Sequence, residues 1–125
     1  MNLVDSSAWL EYFADGPNAE AFAPAIEAVL ELIVPTLSLC EVFKRVLVQR
    51  NEGDALQAVA VMRQGNVVDL PVPLALSAAR TSVAERLPLA DSIMLATARA
   101  YQATLWTQDA DFEHIDGVRF FPKGS

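Results

Sequence analysis

An α/β fold is predicted: a doubly wound, mostly parallel sheet of about five short strands with helices on both faces, which follows from three observations. Apolar stretches of four or five residues alternate with longer helical patterns along the whole sequence, the signature of βαβ units. The chain has 125 residues, 53% of them hydrophobic and 20% charged, which suits one well-buried core. No linker, repeat or low-complexity segment interrupts it, so one domain spanning residues 1–125 is expected.

Taken in order, Met1–Val4 is an apolar stub, read as the first strand. Ser6–Phe13 reads as a helix closed by the turn signal Asp15-Gly16-Pro17. Asn18–Leu32 is helical in pattern, with a break or restart expected at Pro24, and Leu32–Pro35 is a brief strand. Ser38–Asn51 is the clearest helix: Leu39, Val42, Phe43, Val46 and Leu47 share one face. Asp54–Gln64 is a helix apolar nearly all round, which makes it either deeply buried or a partner surface. Val67–Leu70 is a strand, Leu74–Leu87 and Asp91–Gln102 are helices separated by Pro88, and Thr104–Thr107 and Val118–Phe121 are the last strands.

Composition removes several functions. Net charge is −7, the wrong sign for a protein gripping nucleic acid through a basic surface. Cys40 is the only cysteine and His114 the only histidine, which excludes an intrachain disulfide, a cysteine zinc cluster and most histidine-dependent catalysis. No basic, apolar and cleavable leader is evident, and the most apolar region, Ala21–Cys40, is broken by Pro24, Glu27, Glu31 and Pro35. A reduced, cytoplasmic protein with no membrane association is the expectation.

The acids are the informative residues. In a parallel sheet, ligands bind outside the carboxyl ends of the strands. Asp5 ends the first strand, while Asp109 and Asp111 follow the Thr104–Thr107 strand. Asp91 and Glu41 lie near the starts of helices that begin at the same edge. Each has a purely structural explanation: Asp5 as a helix cap, Ser38 and Glu41 as a capping box, Asp91 as a partner of the helix dipole, Asp109 as a turn former and Asp111 as a solvated charge. Together they are harder to dismiss. Two carboxylates 5 Å apart repel by about 3 kcal/mol at an effective dielectric near 20. Several in one cleft take up protons or a cation. Oxygen ligands without His or Cys suit Mg²⁺, with Mn²⁺ as a substitute. Such an ion bridges carboxylates to phosphate oxygens and supplies the positive charge the surface lacks. An EF-hand loop beginning at Asp109 is excluded, because its sixth residue is His114 and its twelfth Phe120.

In this order, "LVDSSAWLEYF", "SLCEVFKR" and "LPLADSIMLATARAYQATLWTQDADF" resemble the three acidic motifs of the PIN-domain ribonucleases, most closely the VapC-type toxins of toxin–antitoxin pairs. The resemblance covers nearly the whole chain, least of all Glu52–Leu87. It implies an RNA endonuclease that hydrolyses phosphodiesters with metal-activated water. Asp5, Glu41, Asp91 and Asp109 would be its acidic quartet, with Asp5, Asp91 and Asp109 as metal ligands and Glu41 positioning or activating the water. Ser6 and Thr107 would steady carboxylates, although as helix and strand termini they have an ordinary explanation too, and Asp111 would be secondary. It also implies a cognate antitoxin lying across a groove beside the Asp54–Gln64 helix, and a homodimer. One departure is Tyr101-Gln102-Ala103, where the family often has a glycine.

Arg45, Arg80 and Arg86 are candidate phosphate contacts, with Glu41–Arg45 as a mere i,i+4 pair the plainer alternative. Trp9, Tyr12 and Phe13 read as core rather than a base-stacking platform, and Cys40 as a small buried residue. Two other functions stay open at this level: a PIN fold that binds RNA or a partner without turnover, and a phosphorylation-dependent receiver domain using Asp69 and Lys123. The receiver reading leaves Glu41, Asp91 and Asp109 without a role.

Overall fold

In the computed structural model, which describes residues 1–124, the elements run β1 (Asn2–Val4), α1 (Ser6–Phe13), α2 (Ala19–Glu27), β2 (Leu32–Pro35), α3 (Thr36–Gln49), α4 (Glu52–Met62), β3 (Asn66–Val68), α5 (Val72–Glu85), α6 (Leu89–Ala100), β4 (Thr104–Thr107) and β5 (Val118–Phe120). The strands form one sheet in the order β3-β2-β1-β4-β5, and every neighbouring pair is parallel.

Strand alternation divides the core in two. Val4, Leu32, Val34 and Trp106 face one side, where they pack with Trp9, Phe22, Val42 and Met62 from α1 to α4. Leu3, Ile33 and Leu105 face the other and meet Met94, Leu95 and Ala98 of α6, with Leu87 and Phe112. Adjacent residues thus serve opposite layers, as a period of two requires. All four residues of β2 are buried, the pattern of a strand covered on both faces. No described helix is long and apolar enough to cross a membrane.

Four helices begin two residues earlier than the sequence patterns suggest: Asn51 caps α4, and prolines cap the other three. Pro35, Pro71 and Pro88 hold φ between −53° and −71° with ψ near 150° at the N-caps of α3, α5 and α6. That extended conformation is what an N-cap needs, and proline's missing donor costs nothing there. The Ser38–Glu41 capping box therefore does not form: Ser38 lies inside α3, buried, with its hydroxyl on Met94 Sδ. The break expected at Pro24 is also corrected. Pro24 sits within α2, since the face carrying Phe22, Ala25 and Ile26 is buried continuously across it and that burial outweighs one lost helical hydrogen bond.

Candidate active site

The chain leaves β1 for β2 on one side of the sheet, then returns to place β4 on the other side of β1. The carboxyl ends of β1 and β4 thus flank the crevice where the winding reverses, the usual ligand position in such sheets. Asp5 closes β1 and caps α1; Asp109 follows β4 and caps a short 3-10 turn, Ala110–Phe112. Asp91 lies in the first turn of α6, which starts at this same edge. Glu41 comes from the second turn of α3, the helix after β2.

Asp5 is 4% exposed. Ser7 Oγ donates to its Oδ1 at 2.7 Å and the Ala8 amide to the same oxygen at 3.1 Å, while Thr107 Oγ1 donates to Oδ2 at 2.7 Å. Burial pushes its pKa up to about 6, the three hydrogen bonds pull against that rise, and Asp109 adds repulsion. Asp91, half-buried, is raised to about 7, first by desolvation and then by Asp109, Asp111 and Asp5 around it. One carboxylate oxygen from each of Asp91, Asp109 and Asp111 lies within 4.8 Å of the other two.

Asp111 therefore stands beside two of the expected ligands, although it is exposed. Its amide donates to Asp109 Oδ1 at 2.9 Å, and this local turn folds its side chain toward the cleft. Asp5 lies outside this trio but near enough to repel Asp91 and Asp109. Thr107 occupies one lone pair of Oδ2 and leaves the other for a ligand. Glu41 Oε1 accepts from Ser6 Oγ at 2.7 Å, so Ser6 steadies Glu41 rather than Asp5. Arg45 is exposed and forms no ion pair with Glu41 among the described residues.

Ser7 was not singled out by sequence. Its signal is the run Asp5-Ser6-Ser7 at a helix start: consecutive helical residues point about 100° apart, so the two hydroxyls reach different acids. Thr107 ties the site together, donating to Asp5 Oδ2 and accepting from the Asp109 amide at 2.9 Å. The donor set fits a hard divalent cation: only carboxylate oxygens converge, and two of the acids have raised pKa values that nearby positive charge would relieve.

Other candidates fall elsewhere. Trp9 is fully buried, stacked on Phe13 at 5.6 Å with Tyr12 edge-on, so Trp9 is core and the two partly buried rings pack against it. Cys40 is exposed rather than buried, since α3 turns Ser38 and Val42 inward instead. Asp69 follows β3 and Lys123 follows β5, the two opposite edges of the sheet. Strands spaced about 4.8 Å apart put them well out of reach of a shared phosphorylation pocket.

A groove of 670 Å³ runs between α1, α3 and α4, lined by Leu10, Phe13, Val46, Gln57, Ala58 and Val61 among others. It lies at the far ends of the two helices whose near ends carry Asp5 and Glu41.

A family model described as the PIN domain matches residues 3–118. No curated protein matches the sequence. Among solved structures, a toxin–antitoxin complex from Klebsiella pneumoniae superposes with a TM-score of 0.80 at 22% identity, covering 98% of this chain and 99% of that one. VapC20 from Mycobacterium tuberculosis, described as a sarcin–ricin loop cleaving toxin, gives 0.76 at 17% identity over 93% and 95% of the two chains. VapBC2 from Rickettsia felis, bound to a promoter DNA fragment, gives 0.74 at 11% identity over 98% of each.

Proposed function

The chain belongs to the PIN-domain family, and from that premise we propose that it is a divalent-metal-dependent RNA endonuclease, the toxin of a toxin–antitoxin pair. The observation that carries this reading is the convergence of Asp5, Asp91, Asp109 and Asp111 at the point where the sheet reverses its winding. RNA as the substrate is supported by the fold shared with the sarcin–ricin loop cleaving toxin, and an antitoxin by the toxin–antitoxin complex.

Asp91 and Asp109 would hold Mg²⁺ or Mn²⁺, with Asp5 contributing the open lone pair of Oδ2 and Asp111 a supporting oxygen. When bound, the cation neutralises charge on the attacked phosphate and makes water nucleophilic at neutral pH. The protein does the rest. Ser7, Thr107 and the Ala8 amide hold Asp5 in one orientation. Ser6 pins Glu41 through Oε1, which leaves Oε2 to orient the attacking water and accept its proton. Water is the nucleophile, so no covalent enzyme intermediate forms.

The antitoxin would lie in the α1–α3–α4 groove and extend along those helices toward the acids, where a basic side chain would satisfy them. A homodimer belongs to the same proposal, with the exposed Val72, Leu76 and Val83 of α5 as an available apolar face.

The test is cleavage of a mixed cellular RNA pool by purified protein free of antitoxin, in Mg²⁺ or Mn²⁺ and in EDTA, beside Asp5→Asn prepared identically. Discrete cuts that require metal and vanish in the variant are expected. Equal cutting by both proteins is contamination. Silence from both, with RNA still bound, would instead support a PIN fold that binds without turnover.

A further inference from the structure

Gln108 stands between Thr107 and Asp109 and is only 8% exposed, an uncommon position for a glutamine. Its amide donates to Ser7 Oγ at 3.4 Å, and its side-chain Oε1 accepts from Asn18 Nδ2 at 3.1 Å. Asn18 occupies the N-cap of α2, where an asparagine ordinarily turns its side chain onto the first free helical amides. Here it makes no such bond. The side chain reaches away from its own helix, to Gln108 and to the carbonyl of Pro122 at 2.8 Å.

Asn18 is itself fixed from behind. Its amide donates to Glu11 Oε2 of α1 at 2.8 Å. Gly16 gives that carboxylate room, because a Cβ at Gly16 would collide with Glu11. A line of hydrogen bonds thus runs from Glu11 through Asn18 to Gln108, and so to the segment carrying Asp109. β4 ends at Thr107, so beyond it the strand ladder no longer holds the chain. Side chains do so instead: Ser7 and Asn18 on Gln108, and Thr107 on the Asp109 amide.

Building on the nuclease reading, we propose that Asn18 is a positioning residue: it clasps Gln108 and the Pro122 carbonyl, and through Gln108 fixes where Asp109 sits relative to Asp5 and Asp91. Asn18 touches none of the acids; it acts by removing the freedom of the loop that presents one of them. The loss of one such bond is expected to cost about tenfold in rate, the order set by a single hydrogen bond.

The test is a double-mutant cycle on the full chain with Asn18→Ala, Gln108→Ala and the pair, reading RNA cleavage and backbone amide exchange. Each single variant should lower kcat with KM for RNA unchanged, and the pair should be no worse than either alone. Exchange at the Gln108 and Asp109 amides should rise while Leu3 and Leu105 stay protected. Asn18→Ser keeps a capping residue but is too short to reach Gln108, and should behave like Asn18→Ala. Recovery of activity by Asn18→Ser, additive losses in the pair, or unchanged exchange at Asp109 would each overturn the proposal. Wild-type protein that cuts nothing would defeat the nuclease reading alone, because the exchange cycle reads the clasp without activity.

Discussion

Asp5 is held by three donors and still resists ionisation, because the desolvation of a carboxylate that is 4% exposed exceeds what Ser7, Thr107 and Ala8 return. The linkage has a definite sign. The folded pKa, about 6, lies above the ordinary 3.8, so the native state binds more protons than the unfolded chain between those values. Stability is fully present below pH 3.8 and is lost as pH rises through about 6. The loss from Asp5 is on the order of 3 kcal/mol, roughly 10 °C in Tm for a domain of this size. Asp91 adds in the same direction, less strongly because it is half-exposed to solvent. Calorimetry of metal-free protein should show Tm falling from pH 4 to 7, and Asp5→Asn should flatten most of that fall while abolishing cleavage. Mg²⁺ or Mn²⁺ at neutral pH should restore the wild-type Tm but act weakly on Asp5→Asn. A wild-type Tm that is flat or rises over this range would contradict the electrostatic account of the site.

At the scale of elements, the positions of helix ends carry the surprises. Proline caps advance α3 by two residues, which moves Glu41 from the first turn into the second and frees it from a capping role. Its carboxylate is then available to Ser6, 35 residues away in sequence. The end of α6 is a second case. Gln102 adopts φ of +53° just before β4, in the left-handed region that glycine enters at no steric cost. It falls within Tyr101-Gln102-Ala103, the stretch where the resemblance implies a glycine, so the departure noted in the sequence has a backbone consequence. Gln102→Gly is expected to stabilise the fold by about 0.5–1 kcal/mol, the relief of strain exceeding the entropy gained by the unfolded chain. Denaturant unfolding would measure it as a higher midpoint at constant slope, and an unchanged or lower midpoint would refute it. Cleavage should not change, since Gln102 lies at the opposite end of β4 from Thr107.

At the scale of the molecule, two helices link the candidate site to the groove. The near ends of α1 and α3 carry Asp5 and Glu41, and their far ends wall the groove with α4. α1 is eight residues long, about 12 Å, so a peptide seated in the groove can extend to the acids within a few residues. With a net charge of −7, the protein suits a basic partner, and on the proposed nuclease reading an RNA substrate would depend on the cation for close approach. Val61 is 38% exposed within the groove. Val61→Arg should leave cleavage intact and shift stability by no more than about 0.5 kcal/mol. It should weaken binding of the proposed antitoxin by about 2 kcal/mol or more, as loss of an apolar contact at an interface does. Titration calorimetry with that protein checks this, and unchanged affinity would place the antitoxin elsewhere.

The strand and helix layout was legible because it is written in local periodicity: alternation sorts Leu3 from Val4 and Leu105 from Trp106 onto opposite layers, and spacing of three and four marks α3. The acids were legible through strand ends, since a parallel sheet brings all its carboxyl ends to one edge. Which group holds which acid was not. Thr107 meets Asp5 across 102 residues, Ser6 meets Glu41 across 35, and Asn18 meets Gln108 across 90. Such pairs depend on strand order and on side-chain direction at a helix start, neither of which leaves a periodic trace. Sequence alone determined the layers, the edge and the candidate acids; only the tertiary structure decided that Ser7 joins Thr107 on Asp5, that Asp111 stands with Asp91 and Asp109, and that Cys40 faces solvent. The reason is physical: local patterns fix which face a residue takes, whereas the partner it finds there is set by segments that meet only after the chain has folded.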